Sequence, residues 1–382
     1  MMMWVVILWA SFVLFGASLI YLGTRILNFL DPETIVRWSK VQLFLFSSFI
    51  TLGAMGIITL AIDFVNAIIC IMYMAMIWML SDFVFGIIQK IGHLSFHHYY
   101  AGWTALIIGV LVLMVGWHLN HKVVQTDYFL TTSKEMPDLK MAMFADAHIG
   151  TTFDAEGFAK HLAKIQEQKP DLIVVVGDYV DDGTSREQMV NATEALGKIK
   201  TKYGIFFVLG NHDKGYYGAA HRGFSEQDLT EELSKNGIII LRDEVMLMNN
   251  AFYVVGRRDF SEEKEQRKRR LSMTELTEKL DKDKYMIVLD HQPTDYAAQA
   301  ESGVDLVLNG HTHGGQLFPF NQIGKWIGAN DSIYGHEKRD KTDFIVTSGI
   351  SDWAIQFKTG TRSEFVIIHL KSLAKKIPLS HN

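Results

Sequence analysis

Five short stretches of the chain gather residue types that bind cations or move protons. They are "FADAHIG" with Asp146 and His148, "VVVGDYVDD" with Asp178, Asp181 and Asp182, "VLGNHD" with Asn211, His212 and Asp213, "IVLDHQP" with His291, and "LVLNGHTHGGQ" with His311 and His313. Taken singly they say little, because Asp-x-His is common, a Gly-Asp after a strand is often a turn, and Asn-His-Asp reads as well as a polar loop or an N-cap. Five in order, each directly after an apolar run, are hard to attribute to turns. Carboxylate, amide and imidazole groups together suit borderline divalent ions such as Mn, Fe or Zn rather than Mg or Ca in an all-oxygen cage. Successive strand residues point to opposite faces, so Asp146 and His148, at i and i+2, are expected to share a face and reach one ion. His311 and His313 have the same spacing.

The elements that must position these groups lie in residues 122–382, a length suited to one α/β domain. Strands are expected at 139–144, 172–176, 205–209, 285–289, 305–309, 344–348 and 364–370, with helices around 154–168, 186–200 and 293–301. Continuous apolar strands are buried on both faces, and the late, antiparallel-looking additions suggest two packed sheets flanked by helices. In such layered folds chemistry gathers at strand ends.

The order D-x-H, G-D-x-x-D, G-N-H-D, a single His and G-H-x-H resembles the calcineurin-like metallophosphoesterases over roughly residues 139–370, and the Gly-Gly-Gln after His313 is similar to a membrane-anchored bacterial branch. The resemblance implies a four-layer α/β/β/α sandwich with a site for two divalent metal ions. One ion would be held by Asp146, His148, Asp178 and His313, and the other by Asp178, Asn211, His291 and His311, with Asp178 bridging. It also implies in-line hydrolysis of a phosphate ester or pyrophosphate by a metal-bridging hydroxide, with His212 protonating the leaving oxygen and Asp181 orienting that imidazole. Gly310, Gly314 and Gly315 are expected to allow positive φ and a close backbone approach to the ions. Asp290 reads either as an outer partner of an imidazole or as a turn residue.

Residues 1–121 are of another kind. They hold four basic and four acidic side chains, so the formal charge of -5 belongs to the remainder, and an acidic domain offers no general footprint for nucleic acid. Apolar stretches at 4–23, 41–62, 66–88 and 101–118 have the length of transmembrane helices. The first lacks the basic n-region of a cleaved signal peptide. Asp63 falls where a two-helix hairpin must turn, and Asp82 is expected near the far interface. The single cysteine, Cys70, excludes an intrachain disulfide.

The expectation is a four-helix anchor (1–121) followed by a phosphoesterase domain (122–382) in an integral protein of a bacterial cell membrane. The alternative is a sensor or transporter whose soluble domain binds phosphate without catalysis. Against it, all seven ligand positions are filled and no span is rich in charge. Arg25, Arg37, Lys40 and Lys90 mark the first and third connections as cytoplasmic, which puts the catalytic domain outside after four crossings. A tether of ~20 residues would let it meet lipid or envelope phosphates. No motif position supplies an arginine for the phosphate; Arg257, Arg258, Lys358 and Arg362 are candidates for that contact, with a place at the solvated surface the favoured reading for each. The basic run "KEQRKRR" (264–270) reads as a charged helix face, with contact to anionic headgroups as the sharper alternative.

Overall fold

The computed structural model describes residues 2–266 and 269–374 and divides into two compact units, Met1–Trp117 and His118–Asn382. The helices of the first region are α1 (Met2–Ile26), α2 (Pro32–Arg37), α3 (Lys40–Ala61), α4 (Phe64–Gly92) and α5 (Tyr100–His121). Four of them, all but the short α2, are long and apolar enough to cross a membrane. Their starts are written locally. Ser39 and Gln42 form a capping box at α3, and the Asp63 carboxylate accepts the Asn66 N–H at the start of α4, in the turn after α3. Asp82 does not sit near a helix end. It lies well inside α4, where it accepts hydrogen bonds from the Tyr21 and Tyr99 hydroxyls (2.6 Å each) and pairs with Arg25 at 2.9 Å, tying α1 and the residue that precedes α5 to α4.

The second unit holds two six-stranded sheets. The first contains β1 (Val124–Thr132), β2 (Leu139–Phe144), β3 (Leu172–Val176), β4 (Ile205–Val208), β5 (Ile239–Ile240) and β12 (Glu364–Ser372), in the order β1-β12-β2-β3-β4-β5. The second contains β6 (Glu244–Met248), β7 (Phe252–Gly256), β8 (Tyr285–Leu289), β9 (Leu306–Asn309), β10 (Gly335–Arg339) and β11 (Thr342–Val346), in the order β10-β11-β9-β8-β7-β6. The strands that carry the motifs, β2, β3 and β4 in one sheet and β8 and β9 in the other, run parallel to their neighbours in that set. β11 is parallel to β9, whereas β12 enters antiparallel to β2. Each of these two late strands has one parallel and one antiparallel neighbour, since β11 is antiparallel to β10 and β12 is parallel to β1.

Alternation along the strands builds the layers. Met141, Met143, Val174, Val176, Phe206 and Val208 of the first sheet pack with Val254, Ile287, Leu289, Leu306 and Leu308 of the second. The opposite residues of the first sheet, among them Phe144, Ile173, Val175 and Phe207, meet α6 (Ala155–Glu167), α7 (Arg186–Gly197) and, beyond the short α8 (Ala219–Arg222), α9 (Glu226–Lys235). Past α10 (Phe260–Gln266), the outer face of the second sheet is covered by α11 (Met273–Thr277) and α12 (Tyr296–Glu301) through Met273, Leu276 and Tyr296. The result is a four-layer α/β/β/α sandwich.

A candidate metal centre

The five motif stretches converge at the carboxyl ends of β2, β3, β4, β8 and β9. Donor atoms of Asp146, His148 and His313 lie within 4.8 Å of one another, as do those of Asp178, His291 and His311. Asp178 joins the two sets, since its Oδ2 is 3.8 Å from His148 Nε2 and 3.1 Å from His291 Nε2. Apart from that carboxylate, His148 Nε2 and His291 Nε2 have no hydrogen-bond partner despite full burial, and neither has Asn211 Oδ1. Unpaired polar atoms in such number are costly unless a cation satisfies them. The donor set fits two divalent ions, and six of the seven positions expected from the sequence fall in these two groups; Asn211 follows β4 on the turn whose next residue, His212, donates its N–H to Asp178.

The local backbone differs from the expectation of shared strand faces. β2 ends at Phe144 and β9 at Asn309, and the ligand candidates stand beyond the strands in left-handed turns: φ is 55° at Asp146, 37° at His148, 53° at Asp178, 71° at His311 and 49° at His313. Side-chain-bearing residues adopt this region reluctantly, and such strain clusters at functional sites. Gly310 differs as well. It does not have positive φ; it is needed because a Cβ would meet Ala145 Cβ at 2.5 Å and Asp146 Oδ2 at 2.7 Å. Gly314 does have positive φ, 63°.

A second ring of groups holds the donors. His291 Nδ1 lies 2.8 Å from the Val176 carbonyl and His313 Nδ1 2.9 Å from Asp352, which leaves each Nε2 turned toward the carboxylates. Asp181 was expected on His212. Its Oδ2 instead lies 3.2 Å from His148 Nδ1, while Oδ1 accepts the Gly183 N–H at 2.7 Å. His212 Nδ1 has no protein partner; the ring centroid is 4.8 Å from that of Trp353 and 5.2 Å from that of Tyr216. Asp213, buried next to it, accepts N–H bonds from Asp178 (3.0 Å), Tyr179 (2.9 Å), Val180 (3.0 Å) and Gly210 (2.7 Å), so one carboxylate shapes the turns after both β3 and β4. The buried Arg222 donates to the Asp213 carbonyl at 2.7 Å.

Burial and charge set the protonation of the cluster. Burial opposes charge on Asp178, yet the surrounding imidazoles of His291 and His212 hold its carboxyl well below the usual range. Burial likewise opposes charge on His291, and the Asp178 carboxylate overrides it, holding this imidazole well above its usual value. Burial pushes His212 down to about 4, and burial with the neighbouring His291 pushes His311 to about 3.

Several sequence expectations change. Asp290 is neither an imidazole partner nor a turn residue: it is fully buried, 3.0 Å from Arg257 Nη1, paired with Arg270 and bonded to Gln299 Nε2 at 2.7 Å. Arg257 and Lys358 are therefore interior, Lys358 beside Asp352 at 3.3 Å, whereas Arg362 is exposed. Arg258 is only partly exposed and pairs with Glu262 at 2.9 Å. In the basic run Arg267 and Lys268 lie outside the described residues, Arg269 is exposed beside Glu275, and Arg270 points inward, so it is not a headgroup contact. Asp352 was missed, although "FIVTSGISDW" repeats the grammar of an acid shortly after an apolar strand.

The fold thus carries, at its strand ends, two groups of side chains that could hold divalent metal ions. Residues 139–315 match the family model described as calcineurin-like phosphoesterase. The chain is 32% identical over 239 residues to an uncharacterized metallophosphoesterase of Campylobacter jejuni, covering 61% of this chain and 59% of that protein. It is 30% identical over 244 residues to a transmembrane protein with metallophosphoesterase domain of Danio rerio, covering 61% and 53%. The chain thus spans less than two thirds of the length of these relatives. A crystal structure of a Thermus thermophilus protein aligns at 14% identity over 56% of this chain and 90% of that one, with a TM-score of 0.38.

Proposed function

We propose that the chain is a membrane-anchored, metal-dependent phosphohydrolase that cleaves a phosphate ester or pyrophosphate. The observation that carries this is the convergence of six donors in two groups that meet at Asp178, with buried unpaired atoms on His148 and His291. Asp146, His148, Asp178 and His313 would hold one ion, and Asp178, Asn211, His291 and His311 the other. Two bound Mn, Fe or Zn ions would supply phosphoryl polarisation and a water of lowered pKa.

The chain's own part is positional. Asp213 fixes the turn that carries Asp178, and the His212 backbone N–H holds Asp178 Oδ1 at 2.8 Å. This bond orients the shared carboxylate and places the His212 ring at the rim. There it would receive a proton under the pull of an anionic phosphate and hand it to the leaving oxygen.

The test is hydrolysis by the full chain reconstituted with each metal, against monoesters, diesters and pyrophosphates, beside Asp178→Asn. The variant should lose bound metal and hydrolysis together; two retained metals with parental turnover would refute the assignment. The basic residues of the first and third connections support an extracytoplasmic domain in a bacterial cell membrane, facing lipid or envelope phosphates. Alkaline phosphatase fused after Leu119 should be active there, and a fluorescent protein dark. The reverse pattern would place the domain in the cytoplasm.

A further inference from the structure

The chain leaves the His311–His313 loop, makes an excursion over residues 317–333, and returns to it, since Thr312 Oγ1 donates to the Ile333 carbonyl at 2.6 Å. The returning segment is also fastened beside His291, because the Asp331 N–H donates to the Pro293 carbonyl at 2.8 Å. Both feet of the excursion therefore stand on turns that carry metal-ligand candidates. Its middle, which includes the single turn α13 (Ile323–Trp326), turns outward: Phe320 is 51% exposed, Trp326 73% and Ile327 42%, and Ile323 is exposed too. At the same mouth the indole of Trp353, half exposed, stands over His212. Gln316 Nε2 links the two segments by donating to the Ile355 carbonyl at 2.7 Å.

Water-exposed aromatic and branched side chains in one short stretch cost free energy and mark a surface with an occupant. Two features favour a bilayer. Only Lys122 and Val123 separate α5, the last membrane-length helix, from β1, so the tether of ~20 residues expected from the sequence does not exist. Two residues of chain span at most about 7 Å, so the start of β1 stays close to the end of α5. In addition, residues 317–330 contain no acid and one exposed lysine, Lys325, within an otherwise acidic domain. Phe, Trp and Ile beside a lysine is the composition of segments that settle among lipid headgroups.

We propose that residues 320–327 form a lip that enters the interfacial layer of an anionic bilayer, so that the adjoining metal centre takes its phosphate ester from a membrane lipid. Insertion of the lip does not depend on the phosphohydrolase reading; the supply of substrate rests on it.

The test uses the full chain in nanodiscs of phosphatidylcholine and phosphatidylglycerol. An environment-sensitive fluorophore is placed at Trp326→Cys in a Cys70→Ala background, with Lys160→Cys on α6 as an exposed control. Doxyl-lipid quenching should be about threefold stronger at 326 than at 160. Phe320→Cys supplies a second reporter should the first fail to fold, and equal quenching at lip and control overturns insertion. In the Mn-loaded protein, Phe320→Ser with Trp326→Ser should lower the ratio of phosphatidate to p-nitrophenyl phosphate turnover about tenfold. An unchanged ratio with strong quenching overturns the supply role. If the unsubstituted protein hydrolyses no monoester, diester or pyrophosphate, the phosphohydrolase reading fails while the quenching result stands.

Discussion

Asp181→Asn separates two roles for one carboxylate. In the structure Asp181 Oδ2 lies 3.2 Å from His148 Nδ1 and Oδ1 accepts the Gly183 N–H. An asparagine keeps the Gly183 bond with its carbonyl oxygen, which turns its NH2 toward His148 Nδ1. That donor favours the imidazole tautomer with its proton on Nε2, the nitrogen that faces Asp178. At 3.2 Å two full charges attract by about 5 kcal/mol at an effective dielectric constant of about 20. A metal-bound imidazole carries only part of a charge, so the loss should resemble that of a charged hydrogen bond, about 1.5–3 kcal/mol. That is roughly a 10- to 100-fold fall in metal affinity. Calorimetric titration of the full chain in detergent with Mn reads it directly, and turnover at saturating Mn should fall by much less. Parental Mn affinity, together with a shift in the pH limb governed by His212, would refute the reasoning and return Asp181 to the role expected from the motif.

Asp213→Asn keeps acceptors for two of four backbone donors and sets an amide against the others. Local stability should fall by about 3–6 kcal/mol, read as faster hydrogen exchange in peptides covering 172–182, and parental protection there would contradict it. Arg270→Met leaves Asp290 with half of its arginine pair and should destabilise the unit by about 3–5 kcal/mol, measured as a lower urea midpoint for the second unit; an unchanged midpoint would mean that Arg257 and Gln299 suffice. Burial and the nearby Lys164 push the partly buried His161 down to about 4, so the unfolded chain binds its proton first and stability falls as pH drops below the ordinary imidazole value. His161→Gln should therefore lose less stability than the parent between pH 6.5 and about 4, and parallel curves would rule the effect out.

The ligand candidates were legible because each follows an apolar run, and β3, β4, β8 and β9 are buried along their whole length, as is β2 apart from Lys140. Burial of that kind leaves little ambiguity about where a strand stops. β1 was not legible: "VQTDYFLTT" mixes exposed and buried positions because it is an edge strand, and its apolar content is no higher than that of a loop. The second ring was hidden for another reason. Which imidazole Asp181 faces, or that Asp352 meets His313 from a loop 39 residues later, follows from how turns close in space, and spacing along the chain does not encode it. Arg270 shows the converse, for a run of like charges concealed one member that folds inward to Asp290.

The placing of β12 has a consequence for how the protein is made. It lies between β1 and β2, pairing with both, yet 219 residues separate Phe144, which ends β2, from Glu364, which begins it. At ~5–20 residues per second, a ribosome needs roughly ten to forty seconds to cover that gap. Through this interval β2, which leads into Asp146 and His148, has an open flank on the side that β12 will close. The hydrophobic spans, by contrast, are complete before β2 has emerged. A nascent chain is thus held at the bilayer long before its metal centre can be assembled, and shielding of that unpaired edge falls to whatever chaperones meet it there.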